Sequence, residues 1–103
     1  MTVQRSAPAP YKTTPIFDED SLPAAIRNAH STKAGVWGML RVLDGRADLV
    51  FHDPARVVAV APGRPGLIEP EAVHHVEING PVRLEIAFFR EHPDPSTEAL
   101  PDR

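Results

Sequence analysis

The stretch Val82-Arg-Leu-Glu-Ile-Ala-Phe-Phe89 alternates apolar side chains with others along its length. Successive side chains of an extended strand point to opposite faces, so Val82, Leu84, Ile86 and Phe88 share one face. A strand with one apolar face needs a core to pack against. We therefore predict that residues 82–89 form a strand on the hydrophobic core of a β-protein.

Further β-prone segments precede this strand and are divided by turn signals. Asp44-Gly45 is the strongest hairpin signal, and Asp53-Pro54 and Asn79-Gly80-Pro81 also predict turns. Short strands at intervals of about 8 to 12 residues are typical of an all-β antiparallel sandwich or barrel. The predicted strands before residue 82 are 11–17, 36–43, 46–52, 56–61, 67–68 and 73–78.

One short helix is predicted at residues 22–29. Ser21 is the predicted N-cap, and Pro23 in the first turn favours a helix start. The acidic residues 18–20 would complement the positive end of the helix dipole.

Composition excludes several classes of protein. The chain has 103 residues, a formal net charge of −3, and no cysteine. The absence of a basic cluster argues against a nucleic-acid or anionic-membrane partner, and the absence of cysteine excludes disulfides and thiolate metal sites. No apolar run is long enough to span a membrane, and residues 1–10 lack the apolar region of a secretory signal. We expect a cytoplasmic protein.

The length and composition predict one domain at residues 11–91, with an N-terminal arm at 1–10 and a flexible tail at 92–103. The segment Tyr11–Phe17 is β-prone but has no hairpin partner close in sequence, because the helix follows it. Unpaired strands are usually covered. We predict a homodimer formed by this segment, with the alternative that it folds back on its own chain.

Histidines are the residues that could carry chemistry. His30 stands before the strand 36–43, and the adjacent His74 and His75 point to opposite faces of a strand. If the fold brings His30 and His74 together, their imidazoles could bind a divalent ion such as zinc, iron, nickel or copper. His52 and His92 are interpreted as a turn residue and a solvated residue.

Carboxylates could complete such a metal site. Glu85 is the predicted third ligand, because a charge within an apolar strand is costly unless it is paired or bound to a metal. An outward-facing Glu85 paired with Lys or Arg is the alternative. Other carboxylates that could contribute are Glu69, Glu71 and Glu77.

The chain resembles the TehB/YeaR-like family, which is associated with tellurite resistance and has a small cupin-like β-barrel or jelly-roll fold. The motifs that carry the resemblance are Tyr11-Lys-Thr-Thr-Pro15, His30-Ser-Thr-Lys33, Gly35-Val-Trp-Gly38, Arg41-Val-Leu-Asp-Gly45, Glu69-Pro70 and His74-His-Val-Glu77. The resemblance implies that His30 and His74 line a pocket, with Lys33, Trp37 and Arg41 as cofactor- or ligand-binding residues. A general cupin motif would place His75 inward instead.

The resemblance also sets limits. Thr32, Lys33 and Gly38 lie near positions where cupins carry metal ligands, so at most half of the usual ligand set is present. Some family members carry a methyltransferase domain after the barrel. This chain has no glycine-rich nucleotide loop, so we do not expect methyl transfer.

Three functional hypotheses follow. The first is a small cupin-like domain that binds a metal or a small-molecule or anionic ligand in a stress response such as oxyanion resistance. The second is a non-catalytic binding or assembly module without a metal, in which His30 and His74 are hydrogen-bonded polar groups. The third is a metal-dependent enzyme of the dioxygenase or isomerase type.

Overall fold

The computed structural model describes residues 9–93. It contains one short helix and six strands, which pair in an antiparallel sheet. The elements in chain order are β1 (Lys12–Thr13), β2 (Phe17–Asp18), α1 (Ala24–Arg27), β3 (Trp37–His52), β4 (Ala55–Val60), β5 (Gly66–Ile68) and β6 (His74–Phe89). The predicted antiparallel β class is confirmed.

Two long strands, β3 and β6, form the centre of the fold. They pair antiparallel from Trp37↔Phe89 at one end to Phe51↔His74 at the other. The register shifts on either side of Asp44-Gly45, so these residues form bulges within β3. The predicted hairpin turns at Asp44-Gly45 and at residues 79–81 are therefore wrong, because long-range pairing of the two strands overrides both local turn signals.

A glycine is required at position 45 because two backbones meet there. Gly45 has φ +82°, and a Cβ atom at this position would lie 2.3 Å from the carbonyl oxygen of Pro81. Gly45 thus allows β3 to bend against β6 without steric overlap.

The sheet remains open. Its main strand order is β1-β6-β3-β4, with β2 paired to β6 and β5 paired to β3. Within residues 9–93 no pairing between the outer strands β1 and β4 closes the sheet, so the structure does not show the predicted cupin-like barrel or jelly roll. The Asp53-Pro54 turn between β3 and β4 is present as predicted.

The main core lies on one face of the bent β3–β6 pair. Leu40 and Val42 before the bulges share one buried cluster with Leu49 and Phe51 after them, together with Leu84. This cluster joins the two halves of the bent sheet, and burial of apolar surface is the main force that stabilises such a fold. The predicted inward face of residues 82–88 is correct.

A second, smaller cluster lies on the opposite face of the same two strands. It consists of Met39, Ala87 and Phe89, with Trp37 packed against it. The His92 ring lies 4.5 Å from the Trp37 ring, centroid to centroid, so His92 contacts an aromatic side chain although it is exposed. The last part of β6 is therefore buried on both faces.

The N-terminal segment Tyr11–Phe17 folds back on its own chain. Lys12 pairs with Phe88 and Phe17 pairs with Leu84, so β1 and β2 are edge strands on β6. The structure therefore shows the alternative prediction, in which the segment pairs with its own chain and not with a neighbouring subunit. A homodimer stays a prediction, without an interface at this segment.

The helix is shorter than predicted and begins differently. It spans Ala24–Arg27, and Pro23 caps it without a side-chain hydrogen bond. The Ser21 hydroxyl accepts the Asp18 backbone N–H, while an Asp18 carboxylate oxygen accepts the backbone N–H groups of Asp20 and Ser21. Hydrogen bonds to the carboxylate, first from Ser21 and then from Asp20, lower the pKa of Asp18. The predicted Ser21 cap is wrong because Ser21 closes a tight turn with Asp18.

Among residues 9–93 no helix is both long and apolar enough to cross a membrane. Most of the predicted arm at 1–10 and tail at 92–103 lies outside the described residues.

Candidate functional site

A cavity of about 390 Å³ lies between the N-terminal segment, the residues after the helix, and β6. Volumes of this order accommodate small organic ligands. The lining residues are Tyr11, Lys12, Thr14, Ile26, His30, Ser31, Thr32, Lys33, Val36, Ile68, His74, Ile86 and Phe88. Within residues 9–93 the walls combine apolar side chains with two lysines and two histidines, without an Asp or Glu.

His30 and His74 meet in this cavity. Their backbones form an isolated antiparallel bridge, with N–H···O distances of 2.9 and 2.8 Å in the two directions. The ring centroids lie 4.2 Å apart with an interplanar angle of 55°. The prediction that these two residues approach each other, despite a sequence separation of 44 residues, is confirmed.

Backbone carbonyls fix the orientation of both rings. The Nδ1–H of His30 donates to the Asn28 carbonyl oxygen at 2.8 Å, and the Nδ1–H of His74 donates to the Ala72 carbonyl oxygen at 2.7 Å. A carbonyl oxygen only accepts, so Nδ1 carries the proton in each ring. In the neutral form of each imidazole, Nε2 is left as the acceptor.

His74 is the buried member of the pair. Only 1% of its surface is exposed, and burial lowers its pKa below the ordinary value of 6.5. The hydrogen bond to Ala72 acts in the opposite direction, and the neighbouring His30, His52 and His75 lower the pKa further when they are charged. His74 is therefore a neutral imidazole near pH 7.

This lowered pKa predicts a pH dependence of stability. Below pH 6.5 the unfolded chain binds a proton at His74 that the folded chain does not, so the unfolding free energy falls as the pH is lowered. The loss is at most about 1.4 kcal/mol per pH unit. Denaturant unfolding of the wild type and of His74→Gln between pH 7.5 and 4.5 measures it as a difference in slope. Parallel curves would contradict this assignment.

Four of the predicted site residues, Trp37, Arg41, His75 and Glu85, lie away from the cavity. Arg41 and Glu85 are register partners on the face of β3 and β6 opposite to the main core, and their Nε and Oε2 atoms are 3.9 Å apart. Trp37 packs on the second cluster on that face. Of the predicted ligand-binding residues, Lys33 alone lines the cavity.

His75 belongs to a different cluster on the outer surface of the sheet. His75 Nδ1 lies 2.7 Å from His52 Nε2, and His75 Nε2 lies 2.8 Å from a carboxylate oxygen of Glu77. The strand alternation thus places His74 in the cavity and His75 on the opposite face. His52, interpreted from sequence as a turn residue, is a partner of His75.

The cavity residues do not fit a metal centre. Glu85 is paired with Arg41, and His75 is bonded on both ring nitrogens, so neither joins His30 and His74. Across residues 9–93, no group of three or more His, Cys, Asp or Glu side chains is arranged to hold a metal ion. A structural or catalytic metal site needs at least three protein ligands, and the arrangement supplies two.

Most apolar residues of the cavity are not identifiable from the sequence. Ile26, Val36, Ile68 and Phe88 come from four separate segments, and each has the composition of an ordinary core residue. The prediction that Phe88 lies on the apolar face of its strand is correct. No local signal indicates that this face borders a cavity at its end, because the cavity depends on the fold-back of residues 11–14.

Comparison with known proteins identifies the family of this chain. The sequence model of the TehB-like domain matches residues 12–86, and the chain belongs to that family. The resemblance seen in the sequence is thereby confirmed.

Two relatives from Haemophilus influenzae carry the name probable S-adenosyl-L-methionine-dependent methyltransferase TehB. The protein of strain ATCC 51907 is 30% identical over 87 residues, and the protein of strain 10810 is 32% identical over 85 residues. Each alignment covers 77% of this chain and 30% of the relative. The chain thus spans about 30% of the length of these relatives.

Two crystal structures share the fold. A protein of E. coli strain K12 has a TM-score of 0.72 with 21% identity, over 86% of this chain and 95% of that chain. TehB from Haemophilus influenzae has a TM-score of 0.71 with 27% identity, over 81% of this chain and 31% of that chain. The first likeness concerns the fold alone.

These findings correct the functional prediction. The relatives are named as S-adenosyl-L-methionine-dependent methyltransferases, so a cupin-type metal-binding domain is the wrong class of function, while the association with tellurite resistance fits the family. The predicted divalent metal has no site among residues 9–93, and the names of the relatives contain a methyl donor and no metal.

Proposed function

We propose that this chain is the acceptor-binding domain for S-adenosyl-L-methionine-dependent methyl transfer of the TehB type. The cavity that contains His30 and His74 carries the proposal, because it is a concave, largely apolar site with a few convergent polar groups. The names of the relatives support the reaction class. In this proposal the cavity binds the small molecule that receives the methyl group.

The shape and lining of the cavity favour a small molecule with an apolar body. Its volume of about 390 Å³ suits a ligand with one or two rings. Ile26, Val36, Ile68, Ile86 and Phe88 provide apolar walls on several sides. Burial of an apolar ligand against such walls is favourable at roughly 25 cal/mol per Å² of surface removed from water.

The charges of the cavity favour the acceptor over the methyl donor. S-adenosyl-L-methionine carries a positive sulfonium, whereas the described residues of the lining contribute Lys12 and Lys33 and no carboxylate. Nucleotide-type ligands are commonly held by a glycine-rich loop at a helix N-terminus. The six glycines of this chain form no such motif, and α1 has four residues. The described residues therefore do not fit the donor, and we assign no step to it here.

Backbone-amide NMR of the full chain tests the assignment. Phenol is expected to shift the amide signals of Val36, Lys33 and Phe88 in a saturable manner, because these residues line the cavity. S-adenosyl-L-methionine at the same concentration should leave them unchanged. Saturation of the same signals by S-adenosyl-L-methionine would refute the acceptor assignment and place the donor in the cavity.

A further inference from the structure

Two histidine nitrogens of the cavity lining are hydrogen-bond acceptors. Nδ1 of His30 and Nδ1 of His74 are held by backbone carbonyls, and neither Nε2 has a hydrogen-bond partner among residues 9–93. His74 is almost fully buried and His30 is half-buried. The two rings are adjacent, so both acceptor nitrogens belong to the same part of the cavity.

The two threonine hydroxyls of the lining do not compete for this role, and the Tyr11 and Ser31 hydroxyls belong to exposed residues. The Thr14 hydroxyl donates to the Pro15 carbonyl and accepts the Ile86 backbone N–H. The Thr32 hydroxyl donates to the Glu69 carbonyl and accepts the Glu71 N–H. Both threonines thus use their hydrogen-bonding capacity on the backbone. The imidazoles of His30 and His74 are left to contact a ligand.

The lysines contribute less to ligand choice than the imidazoles do. Lys12 and Lys33 are exposed, so their ammonium groups stay hydrated and screened. Inside an apolar cavity, a ligand that donates a hydrogen bond to Nε2 satisfies this acceptor, whereas a ligand with only acceptors leaves it without a donor.

From this geometry we infer that the cavity selects a neutral small molecule that donates a hydrogen bond, with a hydroxyl, thiol or N–H group on an apolar body. The group donates to Nε2 of His74 or His30, and the apolar body contacts Ile86 and Phe88. The inference rests on the proposed function, because it names the chemical class of the methyl acceptor. Acceptors that lose a proton when they are methylated belong to this class.

Isothermal titration of the full chain with phenol, anisole and benzoate tests the inference. Anisole has the same ring and oxygen as phenol but no O–H group, and benzoate tests whether the lysines instead select an anion. Phenol is expected to bind about tenfold more tightly than anisole, the value of one hydrogen bond. Equal affinity of phenol and anisole, or tighter binding of benzoate, would overturn the inference.

Substitutions locate the acceptor atoms. His74→Leu and His30→Leu are expected to reduce the preference for phenol over anisole, and the double substitution is expected to abolish it. His75→Leu is the matched control, since it removes the adjacent imidazole from the opposite face. His74 is buried, and the His74→Leu variant could fail to fold for that reason. In that case the His30→Leu variant, together with the comparison of phenol and anisole on the wild type, still tests the inference. A preference that survives in the folded variants would overturn the inference.

The outcomes separate the two proposals. Equal binding of phenol and anisole removes the donor requirement but leaves an apolar acceptor cavity. Absence of binding by all three probes at about 10 mM overturns the inference together with the proposed cavity function. Displacement of phenol by S-adenosyl-L-methionine overturns the proposed function and the assignment of the ligand as a methyl acceptor, whereas the comparison of phenol with anisole still decides whether the cavity prefers a hydrogen-bond donor.

Discussion

Replacing Gly45 with alanine is expected to lower the free energy of unfolding by about 3–4 kcal/mol. Two effects add at this position. A non-glycine residue at φ +82° costs about 1–2 kcal/mol, and the new Cβ would lie 2.3 Å from the Pro81 carbonyl oxygen. The overlap involves backbone on both sides, so relief requires β3 and β6 to move apart. Denaturant unfolding of wild type and variant measures the difference.

Gly63→Ala is the matched control for this prediction. Gly63 has φ +81°, nearly the same as Gly45, but a Cβ atom at position 63 would meet nothing within 4 Å beyond its chain neighbours. Gly63→Ala should lower the free energy of unfolding only by the cost of a non-glycine residue at positive φ, about 1–2 kcal/mol. Equal losses at positions 45 and 63 would show that the close approach of β3 and β6 at the bulge does not exist.

Filling the cavity with Val36→Trp is expected to weaken phenol binding at least tenfold, or about 1.4 kcal/mol. Val36 is half-buried and lines the cavity, so an indole at this position occupies space that a ligand ring needs. The substitution changes no residue of the main buried cluster, and the fold should persist. Titration calorimetry with phenol measures the loss of affinity.

Val57→Trp is the control for adding a large side chain outside the cavity. Val57 lies on β4 with 62% of its surface exposed, and it is not part of the cavity lining. Phenol should bind this variant as it binds the wild type. If Val36→Trp binds phenol with unchanged affinity, the ligand site lies elsewhere on the chain.

The sequence predicted those parts of the fold that depend on alternation. Val82, Leu84 and Ile86 are buried on one face, as their spacing indicates, because a strand's period is fixed by its backbone. The prediction failed where local turn chemistry competed with long-range pairing. Asp44-Gly45 has the composition of a hairpin turn, but the pairing of β3 with β6 continues past it. The residues around position 44 do not indicate which distant strand will pair with them, and that pairing decides between a turn and a bulge.

The candidate site was predictable only in part for a similar reason. The alternation of a strand separates His74 from His75, and the family resemblance pointed to His74 together with His30. The backbone bridge that joins them, and the fold-back of β1 on β6 that encloses the cavity, are contacts between distant segments. The position of Glu85 within an apolar strand predicts that its carboxylate has a partner, either a metal ion or a basic side chain. In the structure its register partner is Arg41.

Methyl transfer by a grafted protein tests the central claim most directly. Residues 12–86 of this chain would replace the matching segment of the Haemophilus influenzae relative, the segment to which this chain is about 30% identical. Activity is read as methyl groups transferred from labelled S-adenosyl-L-methionine to a phenol and thiol panel. The account predicts transfer by the wild-type and Val57→Trp grafts, and at least a tenfold loss with Val36→Trp. Equal transfer by the Val36→Trp and Val57→Trp grafts would contradict an acceptor site in this cavity.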